Sequence, residues 1–125
     1  MPKGSSRRVI VEGTSYQTNH AFSGPLCDFM VFLCANDDRV YALELKGGSF
    51  SISDVVDQLQ GGADVVSTIV DSAHIRFYPV LVQARGVSAI ERKALASRKV
   101  MYGGRQYPVI VARCGSNLDH LKADP

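Results

Sequence analysis

The stretch Val40-Tyr41-Ala42-Leu43-Glu44-Leu45-Lys46 decides how the rest of the chain is read. Side chains alternate along a strand, so Glu44 and Lys46, two apart, point to one face while Leu45 points to the other. The segment is otherwise apolar, and burying charge is costly unless it is paired or bound to a metal. An acid and a base on one face of such a strand make a site candidate. The alternative is an edge strand whose exposed face carries charges against aggregation; Val40, Ala42 and Leu45 favour a central position instead.

Upstream, the apolar run over residues 29–34 reads as a second, mostly buried strand. With the polar turn Asn36-Asp37-Asp38 between them, residues 27–35 and 40–46 form an antiparallel hairpin, in which Asp37 and Asp38 serve the turn. That hairpin sets Asp28 at the same end as Glu44. Further upstream, residues 14–25 read as loop, and residues 7–11 as a short strand or a turn of helix before Gly13.

Downstream of Gly47-Gly48 the period changes. Val55, Leu59, Ala63, Val66 and Val70 recur at helical spacing, with Ser53 placed to cap the start. Gly61-Gly62 costs this helix about 1 kcal/mol per glycine relative to alanine, which predicts a kink or a break. Residues 75–82 are β-branched and aromatic and read as a third core strand, so the strand-helix-strand order allows a parallel crossover. Residues 88–96 have helix-forming composition, and 99–102 with 106–112 form a last hairpin turned at Gly103-Gly104. Residues 1–6 and 115–125 are expected to fray.

The chain has 125 residues, 46% hydrophobic and 21% charged, which fits one compact domain and excludes collagen-like, coiled-coil and disordered classes; the order of strands and helices makes it α/β. Its net charge of +2 does not by itself announce a polyanion partner. Cys27, Cys34 and Cys114 lack the spacing of zinc ligands and read as reduced, mostly buried thiols. No apolar run reaches signal-peptide length after the basic start, and none reaches the roughly 18 residues of a membrane span. A soluble, cytoplasmic protein without a membrane partner is expected.

Two carboxylates converging at strand ends offer the hard oxygen ligands that Mg²⁺ takes, with water completing the shell. A neighbouring lysine can orient the attacking water and offset charge in the transition state of phosphodiester hydrolysis. Gln58, early in the helix that follows, can reach back to the same end of the sheet and hydrogen-bond a water or a ligand. His20, eight residues before Asp28, is either solvated or close enough to touch phosphate. Between Arg85 and Arg113 there are seven basic residues and the single acid Glu91. Arg92, Lys93, Arg98 and Lys99 form either a solvated surface or a phosphate-contacting one.

Gly24-Pro25-Leu26-Cys27-Asp28, a strand pair, Glu44-Leu45-Lys46, and a helix carrying Asp57-Gln58-Leu59 together resemble the PD-(D/E)XK nuclease superfamily, over about half of the chain. The resemblance implies a restriction-endonuclease-like fold: a mixed β-sheet flanked by helices, here with a C-terminal β-hairpin. It implies Mg²⁺ or Mn²⁺ bound by Asp28, Glu44 and the main-chain carbonyl of Leu45, with Lys46 as base or charge stabiliser and Gln58 in support. Members often add a glutamate from an N-terminal helix, and Glu12 is the one upstream acid that can stand for it. The implied activity is phosphodiester hydrolysis, in DNA first, by a homodimer or with an accessory protein. The alternative is a nuclease-fold module that binds nucleic acid or a protein without cutting.

Overall fold

The computed structural model describes residues 7–34, 37–71 and 74–117. At its centre lies the expected hairpin: β2 (Phe29–Cys34) and β3 (Arg39–Lys46) pair antiparallel, with Phe29 opposite Leu43 and Phe32 opposite Val40. Asn36 falls outside the described residues. β2 is apolar on both faces. Met30 and Phe32 face one way, Val31 and Leu33 the other.

From β3 the chain crosses through α2 (Ile52–Ile69) to β4 (Arg76–Gln83), which runs parallel to β3 with Glu44 level with Leu81. Parallel neighbours need such a crossover. Val55, Leu59, Ala63 and Val66 are fully buried against the sheet, and each Val or Leu so buried contributes about 1.5–3 kcal/mol. The cap is Ser51 rather than Ser53: its Oγ accepts from Asp54 N–H at 3.4 Å, one residue before Ile52, which packs against the core. α2 runs unbroken through Gly61-Gly62. A Cβ at Gly61 would run into the carbonyl oxygen of Pro25, and one at Gly62 would lie 2.5 Å from Cys27 Sγ. The pair of glycines is what lets the segment leading to Asp28 lie directly on the helix.

A mixed five-stranded sheet results, in the order β1-β2-β3-β4-β7, with β1 (Arg7–Glu12) antiparallel to β2 and β7 (Ile110–Arg113) parallel to β4. Pro79 is tolerated inside β4 because of its place in the ladder. Arg76 and Ala84 donate toward β3, to Asp38 and Lys46 carbonyls, so alternation turns the proline nitrogen toward β7, whose pairing starts one residue later at Val80. The C-terminal hairpin is shorter than expected. β5 (Lys99–Tyr102) pairs with β6 (Arg105–Pro108) as a separate ribbon, around a turn in which Gly103 and Gly104 both have positive φ, 59° and 78°. Pro108, with no N–H to donate, ends the ribbon, and the chain then joins the main sheet as β7.

Residues 14–25 are not all loop: α1 (Gly13–Asn19) follows β1 directly. Gly13 N–H donates to Asp28 O at 2.7 Å, and Tyr16 packs against the core, so tertiary contacts override the weak helix propensity of Thr, Ser and Asn. The expected helix at 88–96 is α3 (Ala89–Ser97), closed by a reciprocal Ser88–Glu91 capping box. Helix residues, among them Tyr16 and Leu95, join the core on one face of the sheet. The apolar cluster on the other face, around Tyr41 and Tyr78 stacked at 4.7 Å, consists among the described residues of strand side chains alone. No helix among the described residues is long and apolar enough to cross a membrane.

Candidate active site

β3 is a central strand, and Glu44 sits on its helix-covered face, 1% exposed. Three contacts tie the acidic residues to their surroundings. Asp28 N–H donates to Glu44 Oε1 at 3.1 Å, Leu45 N–H donates to Asp28 Oδ2 at 2.8 Å, and Lys46 Nζ lies 3.1 Å from Glu44 Oε2. The expected meeting of Asp28, Glu44 and Lys46 is thus present. It arises because β2 begins only at Phe29, opposite Leu43, leaving β3 three residues longer than its neighbour's ladder. The loop before β2 fills that gap with the Asp28 side chain.

The same gap receives the main chain of Leu45. An extended residue turns its N–H and C=O to the same side, and Lys46 C=O is turned to β4, where it accepts from Ala84 N–H at 3.3 Å. Leu45 C=O therefore opens on the Asp28 side, while its side chain is half exposed on the opposite face of the sheet.

Electrostatically the site is short of positive charge. Burial pushes the Glu44 carboxyl above its ordinary range and the Asp28 charge adds to it, against the hydrogen bond and charge of Lys46 and the Asp28 N–H. Cys27 is pushed up to about 12 by burial and then by the charges of Glu44 and Asp28, so it is no nucleophile. All three cysteines are free. Cys27 is buried as expected, but Cys34 and Cys114 are exposed, since each lies at or just past the end of a strand.

Beside Lys46 opens a hollow of about 210 Å³ lined by Pro25, Lys46, Asp54, Asp57 and Gln58. The structure thus brings Gln58 to Lys46. Its Oε1 is buried and has no hydrogen-bond partner in the protein, which costs about 1–3 kcal/mol unless a ligand or water donates to it. Gln58→Met is accordingly expected to hold or raise stability by about 1 kcal/mol in urea unfolding, removing the orphan acceptor at nearly constant volume. A loss of stability would mean that the oxygen has a partner in the folded protein. Asp54, three residues before Asp57 and four before Gln58, brings a further carboxylate to this side of the helix.

The remaining candidates lie elsewhere. Glu12 ends β1 opposite Phe29, and Phe29 is opposite Leu43, so the pleat sends the Glu12 side chain to the face away from Glu44. It accepts from Ser15 Oγ at 2.9 Å. The His20 ring stacks on Tyr16 with centroids 4.1 Å apart, and Nδ1 lies 3.3 Å from Tyr16 O. Arg92, Lys93, Arg98 and Lys99 are all exposed on α3 and its junction with β5. None lines the hollow beside Lys46. Lys99 Nζ donates to Ala96 O at 2.8 Å, capping the end of α3. Asp37 bridges Arg39 and Arg76, each at 3.4 Å, at the opposite end of β3. Tyr102 and Tyr107 are buried against Phe77.

Among the described residues no group of three or more His, Cys, Asp or Glu side chains is arranged to hold a metal ion. The hard donors that do converge are two carboxylates and a carbonyl. Comparison with protein-family models, with curated proteins and with solved structures finds no match.

Proposed function

We propose that this protein is a Mg²⁺- or Mn²⁺-dependent nuclease of restriction-endonuclease-like fold that hydrolyses phosphodiester bonds, DNA first. The observation that carries the reading is the Asp28–Glu44–Lys46 network at the open end of β3. The donor set fits a hard divalent cation: Asp28 uses Oδ2 on Leu45 N–H and keeps Oδ1 open, Leu45 C=O turns to the same gap, and two neighbouring carboxylates leave negative charge uncompensated. Asp28, Glu44 and Leu45 C=O would hold the ion, which when bound polarises a phosphoryl oxygen and acidifies water. Lys46, partly exposed beside the hollow, orients the attacking water and offsets charge building on the phosphate. Gln58 lines the same hollow and supports the site, with its buried Oε1 left without a protein partner. Arg92, Lys93, Arg98 and Lys99 offer a basic surface for the flanking backbone, predicting strong weakening of binding by salt.

Calorimetric titration with Mn²⁺ at several pH values tests the site. Glu44 must give up its proton to bind a cation, and its carboxyl titrates above the ordinary range. Affinity is therefore expected to tighten as pH rises through that window, with proton release on binding, and to level off above it. A pH-independent affinity would contradict the assignment. A second reading has one observation in its favour: both Glu44 oxygens are already satisfied, by Asp28 N–H and by Lys46. A module that binds nucleic acid or protein without cutting would keep that network closed, and no Mn²⁺ would bind at millimolar concentration even with DNA present.

A further inference from the structure

β1 forms one edge of the sheet, and among the described residues it has no neighbour beyond β2. Arg7, Arg8, Val9 and Ile10 are all exposed. Val9 and Ile10 point to opposite faces and are 53% and 58% exposed, so the strand is uncovered on both sides as well as along its edge up to Val11, which packs against the core. A six-residue edge strand with adjacent exposed apolar residues and no proline is what stable sheets avoid unless something pairs with it. The opposite edge, β7, is four residues long and better covered.

We infer that this edge is paired by a second copy of the chain, β1 running antiparallel to the partner's β1 across a two-fold axis, so that two five-stranded sheets become continuous. Symmetry narrows the register. A two-fold that relates antiparallel neighbours stands perpendicular to the sheet and keeps each residue on its own face. Opposite residues of an antiparallel pair also share a face, so only residues an even number of positions apart can stand opposite each other.

Centred on Ile10, this register sets Arg8 opposite the partner's Glu12, Val9 opposite the partner's Val11, and Ile10 opposite the partner's Ile10. Within residues 8–12 every charge then meets its opposite and every apolar side chain an apolar one, while Arg7 lies beyond the paired segment, opposite the partner's Gly13. Centred on Val9 instead, Arg8 would face the partner's Ile10 and Arg7 the partner's Val11, with no carboxylate in reach. The sequence Arg-Val-Ile-Val-Glu over residues 8–12 is complementary to itself when reversed, which suits an isologous, closed interface. Glu12 can take this role, since it is exposed and lies on the face of Ile10, away from Glu44, with its Oε1 accepting from the Ser15 hydroxyl.

Sedimentation velocity on the full chain over a dilution series tests the pairing. A reversible monomer–dimer equilibrium is expected, with hydrogen exchange of the 8–12 amides slowing as concentration rises. Glu12→Arg sets arginine opposite arginine and is expected to weaken the dimer at least about tenfold. The double variant R8E/E12R restores the pairing with its charges exchanged, and circular dichroism confirms that each variant is folded. Should Glu12→Arg fail to fold, Ile10→Arg, which sets like charges against each other at the axis, replaces it. A protein that stays monomeric at on the order of 100 μM, a dimer indifferent to the single reversal, or a double variant that stays monomeric would overturn the inference; so would protection of residues 8–12 that does not depend on concentration.

Discussion

Glu44→Gln is expected to abolish metal-dependent cleavage, with a fall of at least about 10²–10³ in rate, while leaving the fold and its stability within about 1 kcal/mol of the parent. The two outcomes separate because of where Glu44 sits. Its carboxylate is buried and raised by that burial, with Asp28 beside it adding to the cost, so the charged form is held against the preference of the folded state. A glutamine of the same shape removes the charge and keeps an oxygen for Asp28 N–H. It takes away the anionic ligand that a divalent ion needs. Lys46→Met leaves the same carboxylate without its cation, so it is expected to raise the Glu44 pKa further and to lose activity as well. Cleavage assays and urea unfolding on both variants read the two effects independently. A Glu44→Gln protein that unfolds at much lower urea would make the residue a structural ion-pair member instead.

The largest effect on stability is expected from Gly61→Ala. In an exposed helix this change gains about 1 kcal/mol. Here the added Cβ meets the carbonyl of Pro25 and closes on the Leu26 main chain. Main chain cannot rotate away as a side chain can, so either the helix or the segment before Asp28 must shift. A net loss of about 1–3 kcal/mol is expected, and because that segment carries Asp28, activity should fall with it. Gly48→Ala is the control, since a Cβ there meets nothing within 4 Å and stability should stay within about 0.5 kcal/mol. Equilibrium unfolding of the two variants decides: if Gly61→Ala is as stable as the parent, the glycine pair is not what seats the Asp28 segment.

The features legible in the sequence were those with a period. Alternation over residues 40–46 gave β3 and the common face of Glu44 and Lys46, and the 3.6-residue repeat of Val55, Leu59, Ala63 and Val66 gave α2. With the hairpin they also gave the meeting of Asp28 and Glu44, because a two-strand register fixes which residues share an end. The rest depended on contacts distant in sequence. α1 is seven residues of modest propensity, held by Gly13 on Asp28 and by Tyr16 in the core. Gly61-Gly62 reads locally as a helix break and is in fact an approach surface for Pro25 and Cys27. The split of residues 106–112 into β6 and β7 did have a local signal in Pro108, outweighed by the apolar run around it. Glu12 shows how far a strand parity reaches: one residue's shift along β1 would have turned it toward Glu44, and the observed register turns it away.

Cleavage of supercoiled, linear and single-stranded DNA in Mn²⁺, with parent and Glu44→Gln proteins side by side, decides whether the Asp28–Glu44–Lys46 network is a nuclease centre. The parent is expected to cut at least one of these substrates, chelation to stop it, and Glu44→Gln not to cut. A parent protein inert on all three, or a Glu44→Gln protein that cuts as fast as the parent, would contradict that assignment.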